Sequence, residues 1–192
     1  MSTVVTHAVV SVDGFIADTQ DEVGPLFDWY FNGEVPIVEG GPFKVSPASA
    51  DYVQGMWSSI GSMVIGRHLF DRTNGWEGQP PTPAQVVVVS HRPKPEGWHP
   101  EAPYEFFSDL TEGVARAREM AGDGLVAMAA GDVAGQALAL GLVDEVAMDV
   151  VPVVFGSGKR YFGTLDAQHL LDDPHTVIQG DRVLHLSYRV RR

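Results

Sequence analysis

Short apolar runs rich in valine recur along this sequence, and most are followed by a segment in which apolar residues return at helical spacing. Runs of this kind, bounded by turn residues, are typical of buried strands. They predict strands over residues 3–11, 62–66, 84–90, 105–107, 124–130 and 144–156. Pro152 lies inside the last of these, and a proline there indicates a bulge or an edge position.

Helical spacing predicts helices over residues 47–60, 111–121 and 132–141, and a helix or a turn over 67–71. Pro47 stands near the start of the first helix, Thr111 is a plausible cap of the second, and Gly141 closes the third. Residues 12–47 are rich in Gly, Pro and Asp, which predicts a long loop with at most one helical turn. Its aromatic residues argue against disorder.

The order of these elements predicts the fold class. Strands alternate with helices up to about residue 150, and two alternating strands, roughly 174–179 and 182–190, then follow around a turn at 179–181. The first part is typical of a mainly parallel sheet covered on both faces, and the tail of an antiparallel hairpin added at its edge. We therefore predict a single three-layer α/β/α domain over residues 1–192.

Composition narrows the function classes. The formal net charge is −12, so we do not expect the chain to bind nucleic acid or an anionic membrane non-specifically. The absence of cysteine excludes disulfides, zinc–thiolate sites and thiol catalysis, and seven scattered histidines lack the spacing of a metal site. No apolar run approaches the ~20 residues of a membrane span, and the first residues resemble a strand and not a signal peptide. We expect a cytoplasmic protein without a metal.

Three predicted strands end in a glycine or serine that precedes a cation or a helix. The three strand ends are Gly66-Arg67-His68, Ser90-His91-Arg92 and Gly131-Asp132-Val133. In open α/β sheets, ligands bind beyond the carboxyl ends of the strands, where helix N-termini and arginines can hold phosphate. Each turn alone is more simply an ordinary connection with a solvated charge. Three of them on so acidic a chain favour an anion-binding site.

Four segments, taken in order, carry a family resemblance. They are "SVDGFIA" at 11–17, "MVIGRHLFD" at 63–71, "VVVVSHRP" at 86–93 and "GLVDEVAMDVVPVVFGSGKRYF" at 141–162. Each is weak by itself, but their order and spacing over most of the chain resemble the dihydrofolate reductase-like superfamily. The resemblance is to the branch that includes the riboflavin-biosynthesis reductase C-terminal domain.

The resemblance implies NADPH as cofactor and a homodimer as assembly. The implied cofactor-binding residues are Gly66, Arg67, His68, Ser90, His91, Arg92, Gly131, Asp132 and Val133. Two departures stand out. Ala130 replaces a glycine usual in the last turn, and Asp132 would repel a nearby phosphate unless it is a plain helix cap. His91 also moves Arg92 one position from the usual basic residue.

Candidate residues on the substrate side come from the first strand and the loop. Asp13 could orient the substrate or deliver a proton, or could simply form an Asx turn. Asp28 is a rival acid, because aromatic neighbours would raise its pKa. Trp29 and Tyr30 could stack on a flat heterocycle or belong to the core, and core is the better interpretation for Trp57.

Lys159 and Arg160 follow the glycine-rich turn "GSG". Two cations there could steer an anionic substrate or pair with Asp144 and Glu145. A phosphate-binding loop is excluded, because that motif needs glycine at 153 and serine or threonine at 160, where this chain has valine and arginine.

The leading hypothesis is an NADPH-dependent reductase that transfers hydride to a C=N or C=O group of a small polar heterocyclic or sugar-phosphate substrate. The alternative from a different class is a non-catalytic protein of the same fold that binds a nucleotide or a pterin-like ligand. A third hypothesis is an obligate oligomer whose glycine–cation turns serve only subunit contacts.

Overall fold

A computed structural model describes residues 2–82 and 84–191 of the chain. The strands are β1 (Val4–Ser11), β2 (Phe15–Ala17), β3 (Val35–Pro36), β4 (Lys44–Val45), β5 (Ile60–Gly66), β6 (Gln85–Val89), β7 (Tyr104–Phe107), β8 (Leu125–Ala129), β9 (Glu145–Val151), β10 (Lys159–Arg160), β11 (Thr176–Gln179) and β12 (Leu184–Arg189). The α-helices are α1 (Pro47–Ser59), α2 (Arg67–Thr73), α3 (Leu110–Ala121) and α4 (Asp132–Ala139). Two 3₁₀ helices span Gly24–Phe31 and Asn74–Gly78.

Eight strands form one sheet in the order β11-β12-β9-β1-β8-β5-β6-β7. From β9 to β7 all neighbours are parallel, whereas β12 runs antiparallel to β9 and β11 antiparallel to β12. The predicted α/β class, with a mainly parallel sheet and a C-terminal antiparallel hairpin, is confirmed. The parallel arrangement brings the carboxyl ends of β5, β6 and β8 to the same side of the sheet.

Alternation along the central strands divides the core between the two faces. Val64 and Val87 pack in a cluster with the apolar sides of α3 and α4. Their strand neighbours Ile65, Val86 and Val88 face the other way and pack with Phe70 of α2. A third cluster joins Val9 and Val151 to α1 and the first 3₁₀ helix. The valine runs are therefore buried on both faces, as strands covered by helices on both sides require.

The segment predicted as a loop, 12–47, contains more structure than expected: β2, the 3₁₀ helix Gly24–Phe31, and the short β3–β4 pair. Its aromatic residues supply part of the third core cluster, which explains why this segment folds. The segment 12–47, which the sequence pattern predicts to be a loop, thus supplies part of the domain core.

The strand predicted over 144–156 is shorter than expected. β9 ends at Val151, because Pro152 has no N–H for the ladder. The chain then crosses to β10, whose Lys159 and Arg160 pair antiparallel with Ala17 and Phe15 of β2.

Within the described ranges, none of the helices combines the length and the apolar character that a membrane crossing demands.

Candidate functional site

A cleft of about 1080 Å³ opens at the carboxyl ends of β5, β6 and β8 and extends over the middle of β1. All nine residues predicted to hold a cofactor line it: Gly66, Arg67, His68, Ser90, His91, Arg92, Gly131, Asp132 and Val133. The fold thus brings three turns that are far apart in sequence to one cavity. Four Lys or Arg and three Asp or Glu side chains line the cleft, in contrast to the strongly acidic chain as a whole.

Arg67 holds the β6 turn in place. Its Nη1 donates to the carbonyl oxygens of Pro93 at 3.0 Å and Arg92 at 3.3 Å, and its Nε donates to Asp71 at 2.7 Å. Only 16% of the side chain is exposed. Most of its N–H donors therefore bind acceptors within the protein. Arg67 positions the turn, and its charge is less accessible to a ligand.

Arg92 is the accessible cation of the same cluster. Its side chain is 64% exposed, and its Nη2 lies 2.5 Å from the other carboxylate oxygen of Asp71. Burial opposes ionisation of Asp71, but hydrogen bonds from Arg67 and Arg92 outweigh it and lower the pKa of this carboxyl. One carboxylate shared by two guanidiniums leaves the cluster net positive, with Arg92 as the group that an anion can reach.

Gly131 shapes the third turn. Its φ of 96° and ψ of −153° suit only glycine, and a Cβ at this position would find just Ile16 Cδ1 within 4 Å, at 3.9 Å. Gly131 also precedes α4, whose first N–H groups have no partners within the helix. The turn therefore exposes main-chain donors beside open space, as a pyrophosphate requires.

The two departures from the family pattern have structural answers. Asp132 is not a helix cap: Gly131 occupies the cap position, and the Asp132 carboxylate accepts from the main-chain N–H of Thr164 at 3.1 Å. Its charge is thereby directed towards a neighbouring turn. Ala130 has no left-handed backbone, so its methyl group causes no strain there.

The aromatic pair of the loop divides between core and cleft. Trp29 is only 1% exposed, stacks on Tyr30 with ring centroids 4.1 Å apart, and lies outside the lining of the cleft. Its assignment to substrate stacking was wrong, since no ligand can reach its ring. Tyr30 does line the cleft, and Trp57 packs against the same core cluster.

Neither predicted acid is placed for proton transfer. The Asp13 carboxylate accepts from Ser11 Oγ at 2.6 Å and from the N–H groups of Gly156 at 2.7 Å and Phe155 at 3.2 Å. The Ser11 bond has the largest effect and, with those N–H groups, lowers the pKa of Asp13. This carboxylate joins the turn after β1 to the loop after β9, outside the cleft lining, and Asp28 is exposed and also outside it.

Lys159 lines the cleft, and its Nζ lies 3.3 Å from Asp21 Oδ1. Arg160 stacks over the ring of Phe15 at 5.2 Å. The alternative that these cations pair with Asp144 and Glu145 was wrong, because the antiparallel pairing of β10 with β2 turns them towards the loop after β1.

Two acidic residues of that loop cover cations of the cleft. Asp21 contacts His68 Nε2 at 3.2 Å as well as Lys159, and Glu22 pairs with Arg72. Although burial opposes it, the hydrogen bond from Lys159 and the charge of His68 lower the pKa of Asp21. The segment therefore occupies positive groups for which an anionic ligand would compete.

Replacing both acids, as Asp21→Asn with Glu22→Gln, should raise the affinity for inorganic pyrophosphate by roughly two- to thirtyfold, because the exposed ion pairing lost with each acid contributes about 0.2–1 kcal/mol. Isothermal titration calorimetry measures the change. The charge-matched control is Glu112→Gln with Asp123→Asn, two exposed acids away from the cleft. An equal gain in the control would show that only net charge matters.

Among the polar groups of the cleft that sequence reasoning missed is His7 of β1. Its Nε2 lies 2.9 Å from the Asp149 carboxylate, whose other oxygen lies 2.6 Å from His185 Nδ1. The available signal was a histidine and an aspartate inside otherwise apolar strands, since buried polar residues need partners.

The sequence profile of the RibD C-terminal domain matches residues 2–184. The chain belongs to the RibD C-terminal domain family. No curated protein matches this sequence.

Several solved structures align with this member of the RibD C-terminal domain family. A protein provisionally assigned to riboflavin biosynthesis from a Shewanella species aligns with a TM-score of 0.70 at 20% identity, covering 100% of both chains. RibD of Acinetobacter baumannii aligns at 0.65 and 16% identity, with 100% of this chain and 58% of that one. A dihydrofolate reductase from Enterococcus faecalis complexed with NADP(H) aligns at 0.57 and 14%, covering 99% and 97%. The fold is therefore dihydrofolate reductase-like, and this chain spans little more than half of the Acinetobacter protein.

Proposed function

We propose that this chain is an NADPH-dependent reductase that transfers hydride to a C=N or C=O group of a small polar substrate, heterocyclic or sugar-phosphate in kind. The observation that carries the proposal is the meeting of three glycine- or serine-containing strand ends at one cleft on an acidic chain. Family membership and the NADP(H) complex of the Enterococcus reductase support the choice of cofactor.

The residues present suit a phosphorylated dinucleotide. The first turn of α4 and the open backbone at Gly131 would hold the pyrophosphate. Arg92 and Ser90 would meet the adenosine 2′-phosphate, with Arg67 fixing their turn. NADPH, when bound, supplies the hydride. The protein's own tasks are then to bind, to orient and to provide a proton.

The substrate would lie over β1, where Ile16, Phe27 and Tyr30 contribute apolar lining beside the imidazole of His7. Such a surface suits one face of a flat ring, and Lys159 adds a positive charge at the same cleft. We also propose that the protein is a homodimer, as the family resemblance implies.

The test measures cofactor binding by fluorescence titration, with NADPH and with NADH. Arg92→Ala should weaken NADPH by roughly 10- to 100-fold, since a charge-assisted hydrogen bond contributes about 1.5–3 kcal/mol. NADH, which lacks the 2′-phosphate, should change little. Arg116→Ala is the matched control, because Arg116 is exposed and paired with Glu105 and Glu119 away from the cleft. Equal weakening of both nucleotides by Arg92→Ala would contradict the assignment.

If the wild type binds NADPH but oxidises it in the presence of none of the cyclic imines, lactols or dihydropterins tested, the result would instead favour the non-catalytic binder. A protein that binds neither nucleotide near millimolar concentration would contradict both.

A further inference from the structure

His7 reaches the cleft from the middle of the sheet. It lies in β1, between β9 and β8, and its strand neighbours Ala8 and Val9 also line the cavity. Nε2 is directed at Asp149, whose side chain is 1% exposed, while 19% of the His7 side chain is exposed. Because Nε2 is occupied by a buried group, the accessible part of the ring is the side that carries Nδ1. Among the described residues, Nδ1 has no hydrogen-bond partner, and it is not buried.

A chain of polar groups continues from His7 into the protein. Asp149 Oδ2 accepts from His7 at 2.9 Å and Oδ1 accepts from His185 Nδ1 at 2.6 Å. His185 Nε2 lies 2.9 Å from Ser49 Oγ of α1. The strand register produces this line: His185 stands directly opposite Asp149, and His7 is paired with Ala147, two positions before it. His185 is fully buried, so only the His7 end communicates with solvent.

The Asp149 carboxylate in this chain stays ionised although it is buried. Burial opposes the ionisation of Asp149, but the charge of His7 and the hydrogen bonds from both histidines prevail and lower the pKa of the carboxyl to about 2. A buried carboxylate is costly unless a cation compensates it. One protonated imidazole makes the group neutral as a whole, and His7 is the member that can exchange that proton through the cleft.

The other titratable groups around the carboxylate stay neutral. Three tyrosines have raised pKa values: Tyr30 of the first 3₁₀ helix, Tyr52 of α1 and Tyr161 after β10. Burial is the largest cause in each case, and the negative charge of Asp149 raises these pKa values further. The pKa of Tyr52 rises to about 12. They therefore do not titrate in the range in which a histidine does.

We propose that His7 is the proton donor to the substrate, that Asp149 orients its ring and stabilises its charged form, and that His185 holds the Asp149 carboxylate in place. This inference rests on the proposed reductase function. The substrate carbon receives the hydride with its two electrons, and the π pair of the C=N or C=O bond moves onto nitrogen or oxygen. That atom takes the proton from His7 Nδ1. His7 is left neutral with Nε2–H still bound to Asp149, and it regains a proton from solvent through the cleft.

The first test compares His7→Gln with the wild type, using NADPH and a panel of cyclic imines, lactols and dihydropterins. His7→Gln should bind NADPH within about threefold of wild type, whereas kcat should fall by roughly 10²- to 10⁴-fold, the usual contribution of a general acid. Wild-type kcat should fall as pH rises and His7 loses its proton, and the variant should lose this dependence. His99→Gln, an exposed histidine outside the cleft, is the matched control and should retain wild-type kcat.

The second test needs no turnover. In the protein without cofactor, ¹⁵N NMR of the imidazole rings should show a proton on His7 Nε2, and Asp149→Asn should shift that Nε2 resonance, because the N–H loses its carboxylate acceptor. Thermal unfolding checks that each variant is folded. An unaltered Nε2 resonance in folded Asp149→Asn would overturn the role of Asp149.

The outcomes separate the two proposals. If His7→Gln keeps wild-type kcat and its pH dependence, His7 is not the donor, and the reductase stands. If the wild type binds NADPH and reduces no probe, or fails to bind it, the reductase fails and the donor role fails with it.

Discussion

Replacing Asp149 by alanine should lower the free energy of unfolding by about 3–5 kcal/mol, the cost of breaking a buried charge pair by removing one partner. Asp149 is fully buried and holds His7 and the fully buried His185 at hydrogen-bond distance. Without the carboxylate, both imidazoles lose an acceptor, and water does not reach the fully buried His185 to replace it. Urea unfolding at neutral pH measures the loss.

Asp149→Asn is the matched control, since it preserves volume and one acceptor oxygen but removes the charge. It should cost less, about 1–3 kcal/mol, because one amide group still meets a histidine. A result in which alanine is no worse than asparagine would show that His185 and His7 find other partners.

The pH dependence of stability has a defined sign. Although burial opposes it, the neighbouring histidines depress the folded pKa of Asp149 from 3.8 to about 2. The stabilisation from its ionised form is therefore complete above the unfolded value and is lost as pH falls through the folded value. The difference in stability between wild type and Asp149→Ala should narrow over that interval, and a constant difference would contradict the assigned ionisation.

Gly135→Ala should lower the free energy of unfolding by about 1–3 kcal/mol, the usual cost of overpacking. Gly135 lies in α4, where a Cβ would overlap the carbonyl oxygen of Phe162 and lie 3.4 Å from Leu165 Cβ. The helix has to move to admit the methyl group. Since α4 begins beside Gly131, NADPH affinity should fall as well, which fluorescence titration measures.

The control is Gly55→Ala in α1, where a Cβ would meet nothing within 4 Å. Alanine has the better helix propensity, so this variant should gain about 0.5–1 kcal/mol. Opposite signs for two helical glycines would show that close contact, and not propensity, governs Gly135. If both variants gain stability, the packing of α4 on the segment after β10 is looser than the structure indicates.

The side of the cleft that the three strand ends form was within reach of sequence reasoning. Gly66, Ser90 and Gly131 each follow a valine- or alanine-rich strand, and parallel strands connected by helices end on the same side of a sheet. Local pattern and a general rule of topology were therefore enough to predict that these turns converge. The role of Arg67 as a support for the β6 turn was not within reach, because its partners are main-chain carbonyls more than 20 residues away.

The positions of the residues predicted to bind a substrate were not within reach, for the same reason. Asp13 sits beside a glycine, as a reactive acid might be expected to, yet the loop at Phe155 and Gly156 saturates its carboxylate. Trp29 and Tyr30 are adjacent in sequence, but only the second reaches the cleft. No local pattern states which neighbour a distant loop will cover.

The sequence by itself determined the parallel sheet, its C-terminal hairpin and the meeting of three strand ends, because these follow from periodicity and turn residues that act over a few positions. Only the tertiary structure decided that His7, Asp149 and His185 form one line, as they come from three strands whose register sets their spacing. Register depends on how all the strands pack together, and a single strand carries no record of its partner's alignment.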